Sequence, residues 1–122
     1  MEIRLDARPD PERSHGRGRE ASGILRVLVA PGARQEAMKV WQRERMPKGT
    51  KIACVKTKLG FNAEIAVPAS YLDTAQGGPW QAARLNVAVN DFDAEGEGAQ
   101  LWWKPDWRTD RSYAGSGTFV KQ

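Results

Sequence analysis

The sequence predicts an all-β protein: an antiparallel β-sandwich, two sheets of immunoglobulin-like or jelly-roll-like architecture, with about eight strands and no long helix. Three observations carry this. Short strand-like runs recur along the 122 residues, each closed by Pro, Gly, Asn or Asp turn signals. In the clearest of them apolar side chains occupy every second position, the period of a half-buried strand. Nowhere does an apolar stripe keep helical spacing long enough to specify a long helix.

Taken in order, EIRLDA (2–7) alternates, with Ile3 and Leu5 on one side and Glu2, Arg4 and Asp6 on the other. A Pro, Gly and Arg-rich stretch follows and is expected to be an exposed basic loop over 8–22. GILRVLVAPG (23–32) is a strand ended by Pro31-Gly32, and MKVWQRER (38–45) is a weaker strand or hairpin arm closed by MPKGT. TKIACVKT (50–57) and FNAEIAVP (61–68) read as two strands meeting near Leu59-Gly60. In the second of them Phe61, Ala63, Ile65 and Val67 share a side. Pro68 stops that strand, ASYLDT supports one helical turn, and TAQGGPWQ is loop. RLNVAVND (84–91) places Leu85, Val87 and Val89 inward and Arg84, Asn86, Ala88 and Asn90 outward. After the acidic turn FDAEGEG come the strand AQLWWK, the loop PDWRTDRSYAG and the last strand SGTFVK. No repeat and no domain boundary is visible, so residues 1–122 read as a single domain.

Composition narrows the classes. Hydrophobic residues make up 40% and charged ones 28%, values of a globular chain rather than a disordered one. No apolar stretch approaches the roughly 18 residues that span a bilayer, and MEIRLDARPD lacks the apolar region of a signal peptide. The net charge of +4 lies in the first half: residues 1–50 hold 11 Lys and Arg against 7 Asp and Glu, residues 51–122 hold 8 against 8. Asp10, Glu12 and Glu20 dilute the basic stretch RSHGRGRE, and no block of five like charges exists, so a solvated loop is expected there rather than a phosphate-binding patch.

Catalytic sets are sparse. His15 is the lone histidine and Cys54 the lone cysteine. Cys54 lies in strand-like sequence without a base to serve it, the pattern of a small core residue rather than a nucleophile. No Gly-rich phosphate loop appears. NDFDAEGEG sets Asp91, Asp93, Glu95 and Gly96 like the opening of an EF-hand loop. The twelfth position, however, where a bidentate glutamate is needed, is Trp102. A hairpin turn is the expected reading; a calcium site of another type, built from Asp91, Asp93 and Glu95, is the one cofactor left open.

The tryptophans are the strongest signal. Trp102 and Trp103 are adjacent, so alternation sends one into the core and leaves the other at least partly exposed. Trp107 sits in loop sequence with no apolar periodicity to require it. Exposed aromatic surface marks binding sites, and an indole face suits the C–H face of a pyranose ring; packing of the loop onto the core is the competing reading.

Four pieces in order, Gly60-Phe61…Glu64…Val67-Pro68, Asn86 to Asp93, Leu101 to Trp103, and Trp107 to Gly115, resemble the family 9 carbohydrate-binding modules and their DOMON-like sandwich superfamily. The resemblance implies a β-sandwich that binds sugar without catalysis, usually appended to extracellular or periplasmic polysaccharide-degrading enzymes. It sets Trp107 on one clamp tryptophan, Glu2 on an acidic ligand residue and Arg26 on a basic one; in the binding reading Asp106 or Asn90 would help to bond the sugar. The family's opening strands and its other clamp tryptophan precede the strand EIRLDA, so the chain reads as a domain lacking its first strands and as part of a larger protein. Ala88 stands where some members carry a glutamine. Independently of the resemblance, Arg26 interrupts an apolar run and needs a partner, which Glu2 on a neighbouring strand would supply. The expected partner is a saccharide, with no nucleic acid and no membrane; a scaffold domain with its tryptophans in a protein interface is the alternative.

Overall fold

A computed structural model describes residues 1–9, 24–92, 95–104 and 117–122. Within them lie eight strands: β1 (Glu2–Asp6), β2 (Ile24–Ala30), β3 (Lys39–Trp41), β4 (Lys51–Thr57), β5 (Gly60–Ala66), β6 (Ala82–Phe92), β7 (Gly98–Trp102) and β8 (Gly117–Val120). Six of them form one sheet in the order β3-β2-β1-β6-β7, with β8 on the same edge of β6 as β7, and β4-β5 form a second, two-stranded sheet. All strand pairs are antiparallel. The fold is therefore the expected all-β, sandwich-like one, with a large sheet faced by a small one.

The core lies between the two sheets. Leu25, Val27 and Val29 of β2 and Cys54 of β4 are buried together, and Ile3, Leu5, Val40, Ile52, Phe61 and Ile65 pack around them. Val27 and Val29 belong to the every-second-residue set of ILRVLVA, so the period of the sequence converts directly into one buried face. Cys54 is fully buried, and burial pushes its thiol pKa up, away from the reactive thiolate.

The helical turn is longer than ASYLDT suggests: α1 spans Ala69–Gln76. Gly77 ends it in a left-handed conformation (φ 68°), and the Gly77 and Gly78 amides return to the Thr74 and Asp73 carbonyls. Gln76 then donates from one amide nitrogen to the carbonyls of Ala7 (2.9 Å) and Ala82 (2.6 Å), tying the end of β1 to the start of β6.

Two expectations about side-chain burial fail. Asn86 and Ala88, expected outward, are fully buried, whereas Leu85, Val87 and Val89 are only partly so. The far face of the large sheet is covered as well. Asn86 is accommodated there because its amide donates to the Lys104 carbonyl (2.8 Å) and accepts from the Lys104 amide (3.0 Å). Neither Trp102 nor Trp103 enters the core. The strand pair runs out at Trp102, on the rim of the sheet, and Trp103 stays 52% exposed, resting over Gly117 and tilted against Phe119 with ring centroids 6.3 Å apart. A Cβ at position 117 would collide with the Trp103 ring.

Candidate functional site

Register aligns one row of side chains across five strands. Trp41 of β3 is opposite Leu28, Leu28 opposite Glu2, Glu2 opposite Ala88, and Ala88 opposite Trp102 of β7. Directly opposed residues share a face, so an indole stands at each end of a row with a carboxylate at its centre. At about 4.8 Å per strand, the two indole-bearing positions lie roughly 19 Å apart.

Glu2 is held by two arginines. Arg4 and Arg26 are themselves directly opposed on β1 and β2, a placement that is destabilising for like charges. Glu2 resolves it. Its Oε1 accepts from Arg4 Nε (2.7 Å) and Arg26 Nε (2.8 Å), and its Oε2 accepts from Arg26 Nη2 (2.9 Å). The partner that an arginine inside an apolar run demands is therefore the one expected. Burial of Glu2 pushes its carboxyl pKa up, but the hydrogen bonds from Arg26 and Arg4, and then their positive charge, outweigh it and hold the group below its ordinary value. Glu2 is 1% exposed, whereas the Arg26 side chain is 51% exposed. Arg4 lies beneath, with its guanidinium 4.6 Å from the centre of the Trp102 ring. Trp102 is oriented in turn: Nε1 donates to Gln100 Oε1 (2.8 Å), and Gln100 Nε2 donates to Asn90 Oδ1 (2.8 Å).

Beside this network a cleft of about 960 Å³ opens at the end of the large sheet where β1 begins. Arg26 and Asn90 line it together with Leu28, Trp41, Phe61 and Leu101. Three of the expected ligand residues, Glu2, Arg26 and Asn90, are thus brought to one end of the sheet, Glu2 as the buried support of Arg26. Trp107 and Asp106 lie outside the described residues. Asp91 and Glu95 are exposed at either side of the β6-β7 turn and Asp93 lies outside the described residues; among the described residues no three metal-capable side chains converge.

Trp41 is the member that sequence reasoning passes over. It is 49% exposed and half a turn of the strand away from Val40, which packs on the core. The alternation of Val40 and Trp41 is the signal that points to it, though the short strand KVW makes it faint.

No protein-family model matches the chain, and neither does any curated protein or any solved structure.

Proposed function

We propose that this domain is a non-catalytic binding module whose ligand is a saccharide, seated in the cleft on Arg26 and Asn90 and against the Trp41 indole. The observation that carries the reading is the Arg26 guanidinium: fixed in two places by a buried carboxylate, half exposed, and set in a concave site beside an amide and an exposed ring. Planar polar donors that are already immobilised lose little entropy when they bond hydroxyls, and an indole adds a flat apolar surface for a sugar ring. Catalysis is not part of the proposal, because Glu2, the carboxylate at the centre, is engaged by two guanidinium groups and is held ionised rather than poised to exchange a proton. The resemblance of the sequence to sugar-binding modules supports the same reading and an extracellular or periplasmic setting; no helix of the described residues is long and apolar enough to cross a membrane.

Affinity electrophoresis in gels containing soluble polysaccharides tests it. Retention is expected for the protein, is lost in Arg26→Ala and in Trp41→Ala, and changes little with added salt, since neither hydroxyl bonding nor stacking releases counterions. Retention on no polysaccharide, or retention equal in both variants, would remove the proposal.

A second reading has one observation of its own. Trp103, Phe119 and Val120 are large, exposed and on neighbouring segments, a surface suited to packing against another domain of a larger protein.

A further inference from the structure

Charge is unevenly divided along this chain. Residues 34–58 hold eight Lys and Arg against two Asp and Glu, a net +6, so the rest of the chain carries −2 of the overall +4. All eight cationic side chains are exposed. None forms an ion pair or a side-chain hydrogen bond among the described residues, although Glu36 and Glu44 lie among them. The arginines of β1 and β2 differ, since Arg4 and Arg26 share Glu2. Like charges gathered at this density repel one another and weaken the fold, a cost that a bound polyanion removes.

The fold gathers these residues at one margin of the sandwich. β3 is the outermost strand of the large sheet. The segment leading into it is stitched along the edge of β4 away from β5: Gly32 bridges Val55, the Lys56 amide donates to the Gly32 carbonyl (3.2 Å), and Gln35 Nε2 donates to the Ile52 carbonyl (3.1 Å). Lys39 lies on β3, Arg43 and Arg45 on the 3-10 turn after it, Lys48 in the next turn and Lys51 on β4. Lys39 and Trp41, two apart on one strand, share a face about 6.7 Å from each other. Gln42 then takes a left-handed conformation (φ 55°), the one non-glycine residue with positive φ among the described residues, and turns the chain so that Arg43 and Arg45 follow the indole at once. Trp41 and Gln42 both line the cleft, so that end of it leads onto the basic margin. Across the large sheet, Asp91 lines the other end, and Glu95 and Glu97 come next on the way to β7. The cleft therefore has a cationic end and an anionic one.

We infer that the ligand is an anionic polysaccharide, a sugar chain bearing carboxylate or sulfate groups, with one stretch seated on Arg26 and Trp41 and its next units running over Lys39, Arg43 and Arg45. The inference rests on the saccharide reading of the cleft and adds the chemical class of the sugar. Cation, indole and cation in succession (Lys39, Trp41, Arg43) suit a polymer in which ring faces and negative charges alternate. The two guanidinium groups offer planar donor pairs to oxyanions, and unpaired as they are, they give up no internal partner to do so. The acidic end of the cleft repels the same polymer, so the chain leaves over Trp41 and lies in one direction only.

Equilibrium binding to immobilised polymers of matched backbone tests it: carboxymethylcellulose and cellulose sulfate against hydroxyethylcellulose, and polygalacturonate against its methyl ester. The charged members are expected to bind about tenfold or more tighter than the neutral ones at about 50 mM salt, and to lose that margin by about 500 mM, because the engaged cations release counterions. Binding of the neutral members is expected to change little with salt. Which charged member binds tightest separates carboxylate from sulfate. Joint substitution Lys39→Gln, Arg43→Gln and Arg45→Gln is expected to abolish the margin and leave neutral binding unchanged, whereas Arg26→Ala weakens both members of a pair. Equal binding of charged and neutral members, or a margin that survives the triple substitution, would overturn the inference and leave the saccharide reading standing. Binding to no member of either set would remove both. Displacement by single-stranded oligo(dT) as complete as by charged polysaccharide would overturn the choice of partner and assign the margin to nucleic acid.

Discussion

The two acidic residues of β1, Glu2 and Asp6, make nearly the same interaction at opposite ends of one strand, with different consequences. Both are buried and both are gripped by arginine through two carboxylate oxygens. Asp6 accepts from Arg8 Nε (2.9 Å) and Nη2 (2.8 Å) and from the Arg8 backbone amide (3.0 Å). There the arginine is covered too, its side chain only 13% exposed. At the Glu2 end Arg26 is half exposed and faces a cleft. An ion pair seen in isolation does not tell structure from recognition; what separates the two ends is whether the cation has a surface left to offer. The Asp6 end closes on itself, beside the clasp that Gln76 forms, while the Glu2 end presents Arg26 to the cleft.

Substitutions can break this contrast or sharpen it. The largest effect is expected from Glu2→Ala, which leaves Arg4 and Arg26 facing each other across the strands: about 4 kcal/mol of stability lost in denaturant unfolding. Asp6→Ala removes the carboxylate that Arg8 grips and is expected to cost about 3 kcal/mol, with polysaccharide retention unchanged in whatever fraction remains folded. Equal retention losses in the two variants would erase the distinction between the ends. Arg26→Ala is expected to cost only about 1 kcal/mol, because half of that side chain is already in water, yet to eliminate retention. The smallest expected effect lies in the acid limb of stability. Folding holds the Glu2 carboxyl below its ordinary value of 4.5, so the unfolded chain takes up the proton first. The stabilisation is complete above that pH and is lost as the pH falls through the folded-state value. Unfolding measured from pH 6 downward is expected to show this loss in the protein and a flatter profile in Glu2→Gln.

Much of the fold was legible because strand period and turn residues act locally. All eight strands coincide with runs that alternate or end in Pro, Gly or Asp, and the Glu2–Arg26 pair follows from the cost of a lone charge in an apolar run. Alternation tells which residues share a face, but not how deeply that face will be covered, so Asn86 and Ala88 of β6 were assigned to solvent. Trp102 and Trp103 were misplaced for a related reason. The expectation of one buried indole assumes sheet on both sides, and β7 is the edge strand. The cleft was invisible altogether. It arises from how β2, β3, β5, β6 and β7 come together, a matter of register between segments far apart in the chain, and Trp41 joins the site only through that register.

The opposed arginines and the carboxylate between them also constrain how this sequence can change over generations. Replacing Glu2 removes the carboxylate from between two opposed guanidinium groups, whereas replacing either arginine leaves Glu2 paired with the other. Drift can therefore shed an arginine before the carboxylate but not the carboxylate first, so Glu2 should be the last of the three to change.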